Sequence, residues 1–196
     1  MLIPPICSGG ISVRITDSSG AERLAPLRYV SPYLVNLVVP PGTAKGLAIF
    51  TMIGGPHDGV SGHVLIDDIS PGLFTGYENG RGPVIGTAIE TESDGSEMTL
   101  LLSNCEQAVC TTLPVPENAI ISLFATGIRN VSSIEHVSAS IAGIPVRVLY
   151  AGVQNDLLGV DQVEIQLVPE LRGIGETDLI VIVDGIPSNA VRINIQ

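Results

Sequence analysis

The feature of this chain that most constrains its fold is an internal repeat in the order of its apolar segments. An alternating run over residues 11–15 leads through Asp17-Ser18-Ser19-Gly20 to Ala25-Pro26-Leu27-Arg28-Tyr29-Val30, then to residues 34–39 closed by Pro40, then to residues 47–53. The order recurs with residues 137–141, Gly143, Pro145-Val146-Arg147-Val148-Leu149-Tyr150, residues 163–168 closed by Pro169, and residues 179–183. Strand, turn, strand, strand, proline, strand is written twice, and a duplicated unit is the simplest account. A further apolar run, residues 119–125, precedes the second copy, whereas the first is preceded only by residues 1–10. The expectation is two units in tandem, 1–70 and 71–196, the first lacking its opening strand.

The segments themselves read as β. Ile11, Val13 and Ile15 share one face with Ser12 and Arg14 on the other, and Val191, Ile193 and Ile195 do the same around Arg192 and Asn194. Residues 47–53 and 179–183 are apolar on both faces, as in a central strand or one covered by another subunit. With 22 glycines and 14 prolines spread along the chain, a long amphipathic helix is hard to place. Glu78-Asn79-Gly80, Ser93-Asp94-Gly95 and Asp184-Gly185 supply turn chemistry between strands. Many short strands with frequent turns make an all-β sandwich or barrel.

Composition narrows the class further. No apolar run approaches the roughly 20 residues a membrane helix needs. Residues 1–6 are apolar, but they lack a basic region, are broken by Pro4 and Pro5, and are too short for a secretory signal, so the sequence reads as a mature form or a fragment. Twenty acidic residues against nine basic ones give a net charge of −11, the wrong sign for gripping a phosphate backbone, so no nucleic acid partner is expected.

The chain resembles the Ig-like domains found at the C-terminal ends of large exported proteins in Acidobacteria and related soil bacteria, themselves similar to IPT/TIG-type sandwiches. The stretches that carry the resemblance are Leu24-Ala25-Pro26-Leu27 with Val30-Ser31-Pro32, Ser70-Pro71-Gly72-Leu73-Phe74, Leu123-Phe124-Ala125-Thr126-Gly127-Ile128-Arg129, and Leu149-Tyr150-Ala151-Gly152 followed by Gly159-Val160-Asp161-Gln162-Val163. It covers most of the chain from about residue 11 onward and implies two Ig-like β-sandwich units and an exported protein. The chain departs from the family pattern at Val168, which intervenes before Pro169, and a local bulge is expected to absorb it.

A sandwich without its opening strand leaves unpaired backbone groups beside an exposed core. A strand from a neighbouring subunit can fill that edge, which makes a homo-oligomer the expected partner. Within one chain the alternatives are residues 2–6 or residues 84–89.

Cys105-Glu106-Gln107-Ala108-Val109-Cys110 is the clearest local chemistry. A turn over its four intervening residues can bring the α-carbons within the roughly 4.4 to 6.8 Å a disulfide needs, so a disulfide is expected, with two separate buried thiols or a zinc site as the alternatives. A disulfide there implies an oxidising, extracytoplasmic setting. Cys7 is left over, as a buried free thiol or an intermolecular link. His57 and His63 flank a Gly-rich turn with neither metal-motif nor nucleophile-elbow spacing, and His136 reads as an exposed strand residue. Asp67, Asp68, Glu90, Glu92, Asp94 and Glu97 have the oxygen chemistry for calcium but no EF-hand pattern, and solvated turn carboxylates are the simpler account. Asn130-Val131-Ser132 matches the glycosylation sequon. Tyr29, Tyr33, Tyr77, Tyr150, Phe50, Phe74 and Phe124 are the only aromatics, which weakens a carbohydrate-binding reading.

No residue is assigned as catalytic, cofactor-binding or metal-binding, and no cofactor is expected. The expected function is a non-catalytic extracellular or cell-surface structural module that self-assembles by strand complementation. The alternative is a carbohydrate- or surface-binding accessory domain of a larger secreted protein.

Overall fold

The structure, a computed structural model, describes residues 4–91 and 94–196. The protein is all-β, and among the described residues helical structure is confined to the 3-10 turns Gly55–His57, Ile134–His136 and Pro169–Leu171. The chain divides into two compact units, one of Met1–Asp68 with Asn155–Gly159 and the other of Ile69–Gln154 with Val160–Gln196.

The first unit is built from β1 (Ser12–Thr16), β2 (Glu22–Leu24), β3 (Leu27–Val30), β4 (Val35–Leu37), β5 (Gly46–Ile53) and β6 (Ser61–Ile66). Four of these form an antiparallel sheet in the order β2-β1-β5-β6, and β3 and β4 form a hairpin whose apolar side chains pack on it. Period-two alternation decides which side chains meet. Val13 and Ile15 of β1 are buried while Arg14 points away, and Ala48, Phe50 and Met52 of β5 face the core while Leu47, Ile49 and Ile53 face outward. The turn after β1 is held by Asp17, which accepts bonds from the Ser19, Ala21 and Ala44 N–H groups, the Ser19 hydroxyl and the Arg23 guanidinium.

The second unit comprises β7 (Gly72–Leu73), β8 (Gly86–Thr91), β9 (Glu97–Leu101), β10 (Ser103–Glu106), β11 (Val109–Thr112), β12 (Pro114–Val115), β13 (Ile120–Thr126), β14 (Val137–Ile141), β15 (Ile144–Val153), β16 (Asp161–Gln166), β17 (Gly175–Val183), β18 (Ile186–Pro187) and β19 (Val191–Ile195). One face runs β12-β19-β17-β14-β15 and the other β15-β16-β13-β8-β9, so β15 belongs to both. Residues 144–146 pair with β14, and residues 147–153 pair with β16. Ile121 and Leu123 of β13 and Val163 and Ile165 of β16 are fully buried, as are Ile141, Leu179, Val181, Val191 and Ile193 of the other face. Burial on this scale contributes about 1.5–3 kcal/mol per large aliphatic side chain.

The sequence repeat reappears as repeated topology. β1, β5 and β6 follow the order of β14, β17 and β19, β4 stands where β16 does, and β2 with β3 takes the place of the single strand β15. Both doubly apolar segments are central strands, β5 and β17. The bulge expected beside Val168 is elsewhere: the register slips at Leu149, between Val148 and Tyr150 on β15, while Pro169 simply opens a 3-10 turn. Residues 84–89 do not serve the first unit, because β8 pairs with β13 and β9.

Candidate functional site

The two units differ most at their sheet edges. β16 has β15 on one side and β13 on the other, paired from Ile120 opposite Gln166 to Ala125 opposite Asp161. Its counterpart β4 pairs with β3 alone, and among the described residues no strand lies on its second edge. The contrast repeats across the sheet: β19 carries β12 in parallel on its outer side, whereas β6 has β5 on one side and no described strand on the other. From residues 2–6, expected as a filling segment, residues 2 and 3 lie outside the described residues, and Pro5 gives its carbonyl to the Leu27 N–H at 2.8 Å.

Burial follows the missing pairing. In the second unit Ile121, Leu123 and Ala125 of β13 join Val163 and Ile165 of β16 in one core, all shut off from solvent. In the first, the described buried apolar residues are Val13, Ile15, Ala25, Leu27 and Ala48, while Val35 and Leu37 of β4 are only half-buried. The strand that would complete this core has alternating apolar residues, as β13 does.

Cys105 and Cys110 form a disulfide with their α-carbons 4.1 Å apart. That is tighter than the roughly 4.4 to 6.8 Å allowed for beforehand, because the two residues lie directly opposite one another in the β10–β11 hairpin. Gln107 and Ala108 make its two-residue turn, both with positive φ (49° and 65°), a conformation that costs a non-glycine residue energy. The bridge packs on Gly76, where a Cβ would lie 2.6 Å from both sulfurs. The Tyr77 hydroxyl donates to the Cys110 carbonyl at 3.0 Å. Cys7 carries a free thiol and is exposed, which corrects the expectation of a buried one.

One polar cluster was not legible from local spacing. Ser132 donates its hydroxyl to Asp184 Oδ1 at 2.5 Å and lies 2.6 Å from His136 Nδ1. The antiparallel pairing of β14 with β17, Val137 opposite Val183, brings these distant positions together, and the Asp184 N–H donates to the His136 carbonyl. The Ser132 hydroxyl, then its N–H, and the His136 ring hold the Asp184 carboxyl below its ordinary range. Serine and aspartate both face the same imidazole nitrogen, so the aspartate does not orient the ring toward the serine as a hydrolase triad requires. His136 itself sits in a 3-10 turn, not in a strand as expected.

The remaining candidates are dispersed. His57 lies in a 3-10 turn and His63 on β6. Among the acidic residues, Asp68 pairs with Lys45, Asp94 accepts from Ser96, Glu90 is on β8 and Glu97 on β9, and Glu92 lies outside the described residues. Among the described residues no three histidine, cysteine or carboxylate side chains converge as metal ligands. No helix among them is long and apolar enough to cross a membrane. No protein-family model matches the chain, and neither does any curated protein.

Proposed function

We propose that this chain is a non-catalytic structural module of two Ig-like sandwiches, working outside the cell or at its surface and assembling with copies of itself by strand complementation. The observation that carries this reading is the second edge of β4, on which no strand lies among the described residues, at the position where the second unit has β13. Unpaired edge N–H and C=O groups beside a half-covered core recruit a strand, and the added strand brings alternating apolar side chains to that core. The Cys105–Cys110 disulfide supports an oxidising compartment. Electron microscopy and sedimentation of the purified chain test the proposal: filaments or ordered oligomers are expected, and a folded, heat-stable particle that stays monomeric at all concentrations overturns it.

One observation favours a second reading. Tyr33, 98% exposed beside Pro32, and Tyr29, half exposed, both belong to the β3–β4 hairpin and offer faces on which a sugar ring can stack. Retardation in gels containing insoluble or soluble polysaccharides, abolished by Tyr33→Ala, is the result that would move the assignment to a carbohydrate-binding accessory domain.

A further inference from the structure

We infer that the outer edge of β6 is a second docking edge, which takes β6 of another copy of this chain in antiparallel pairing. The inference concerns a different edge from β4 and does not depend on the reading above.

Open edge strands are ordinarily protected by charge, proline or shortness. β2 is three residues long and bears Glu22 and Arg23, and β9 opens with Glu97. β6 has none of these protections. Its six residues, Ser61-Gly62-His63-Val64-Leu65-Ile66, include no proline, lysine, arginine or carboxylate, and the first five are exposed. Leu65 is 70% exposed, and Leu47, its cross-strand partner on β5, is 59% exposed. The counterpart strand β19 is treated differently, with β12 on its edge and Arg192 on its outer face, bonded to Glu176 and Asp178.

The backbone of β6 is set for addition. The Met52 N–H donates to the Val60 carbonyl at 2.8 Å. Alternation along the antiparallel ladder then turns Gly62, Val64 and Ile66 toward β5, and leaves the backbone groups of Ser61, His63 and Leu65 facing the open edge. A two-fold axis at His63 sets Ser61 of each copy against Leu65 of the other, so one surface satisfies itself, as a closed dimer requires.

Two-fold self-complementarity points to a second copy as occupant, and charge leaves this face open to it. With a net charge of −11, two copies repel wherever acidic surfaces approach. β6 and the outward residues Leu47, Ile49, Thr51 and Ile53 of β5 form a patch without a carboxylate, lysine or arginine. The carboxylates flanking the strand are engaged locally: Asp58 on the Gly54 N–H, Asp67 on the Asp68 N–H, and Asp68 on the Lys45 ammonium.

Sedimentation velocity combined with residue-resolved hydrogen exchange on the intact chain tests this. A reversible association is expected, with slowed exchange at the Ser61, His63 and Leu65 amides. Leu65→Lys should weaken it about tenfold or more, because it places a charge in the new ladder twice over. An unchanged thermal transition shows that the variant folds. Should Leu65→Lys melt early, His63→Pro gives the same readout, since the N–H it removes faces the open edge. A monomer, or an association that neither variant weakens, overturns the inference. Protection confined to the Val35 and Leu37 amides also overturns it while favouring assembly through β4, and protection confined to β6 does the reverse.

Discussion

Asp161 offers the most exacting test of how the second unit is held together. It opens β16, is shut off from solvent, and accepts the Ile128 N–H at 2.8 Å, the Arg129 N–H at 3.2 Å and the Arg129 Nε at 2.8 Å. One carboxylate therefore fastens the chain leaving β13 to the start of β16. Asp161→Asn keeps the volume, so no cavity term enters, but it replaces two charge-assisted backbone bonds by neutral ones and turns an amide N–H₂ toward the guanidinium. Weakening each backbone bond costs about 0.5–1 kcal/mol. The arginine pair adds only about 1 kcal/mol, because the Arg129 side chain is 34% exposed and solvent screens it. The sum is about 2–3 kcal/mol, or on the order of 10 °C for a unit of this size. Differential scanning calorimetry should show a lowered transition for the second unit and an unmoved one for the first. A second-unit transition displaced by less than about 2 °C would refute the reasoning, since it would mean the buried carboxylate contributes little more than a neutral amide does.

Four further outcomes follow from described geometry. The Ala44 N–H and the Ser19 hydroxyl hold the Asp17 carboxyl well below its ordinary range. Its contribution to the first unit is therefore complete above the unfolded carboxyl value of about 3.9 and is lost as pH falls toward the folded value. Urea unfolding between neutral and acid pH should show that slope, and Asp17→Asn should flatten it. Reducing the disulfide, which closes a loop of sequence separation 5, should cost about 2 kcal/mol by loop entropy, with faster exchange confined to β10 and β11. Ala108→Gly, at φ 65°, should recover about 1 kcal/mol of hairpin stability, measured by the same exchange in the reduced protein. Gly127→Ala should unfold the second unit or destabilise it by more than about 3 kcal/mol, because φ is +71° and a Cβ would lie 1.9 Å from the Ser70 carbonyl oxygen; an unaltered melt rejects this.

What the sequence made legible was whatever depends on period-two patterning and turn residues. Val13, Ile15, Val191, Ile193 and Ile195 are buried where their alternation puts them, and β5 and β17, apolar on both faces, are central strands, although the outward Leu47, Ile49 and Ile53 of β5 stay exposed. The Cys105–Cys110 bridge was readable because its chemistry is local. Long-range register was not. The meeting of Ser132 with Asp184 follows from pairing Val137 with Val183, a choice no short window specifies. The split of one repeat's strand into β2 and β3 was likewise hidden, since Ala25-Pro26 and Ile144-Pro145 look alike as dipeptides while only the second lies within a continuous strand. That no described strand lies on the outer edge of β6 was hidden too, since residues 61–66 alone do not state who their neighbours are.

The continuity of β15 carries a mechanical consequence. A strand that belongs to both faces of a sandwich transmits tension from one sheet to the other along covalent bonds, so a pull on the second unit must shear many ladder bonds together. In the first unit the same path is interrupted at Ala25 and Pro26, between two short strands, and load reaching β2 passes to β3 through a two-residue hinge. Under a pull along the strands, Ala25-Pro26 is therefore the expected yielding point of the first unit, whereas β15 gives the second unit no such break.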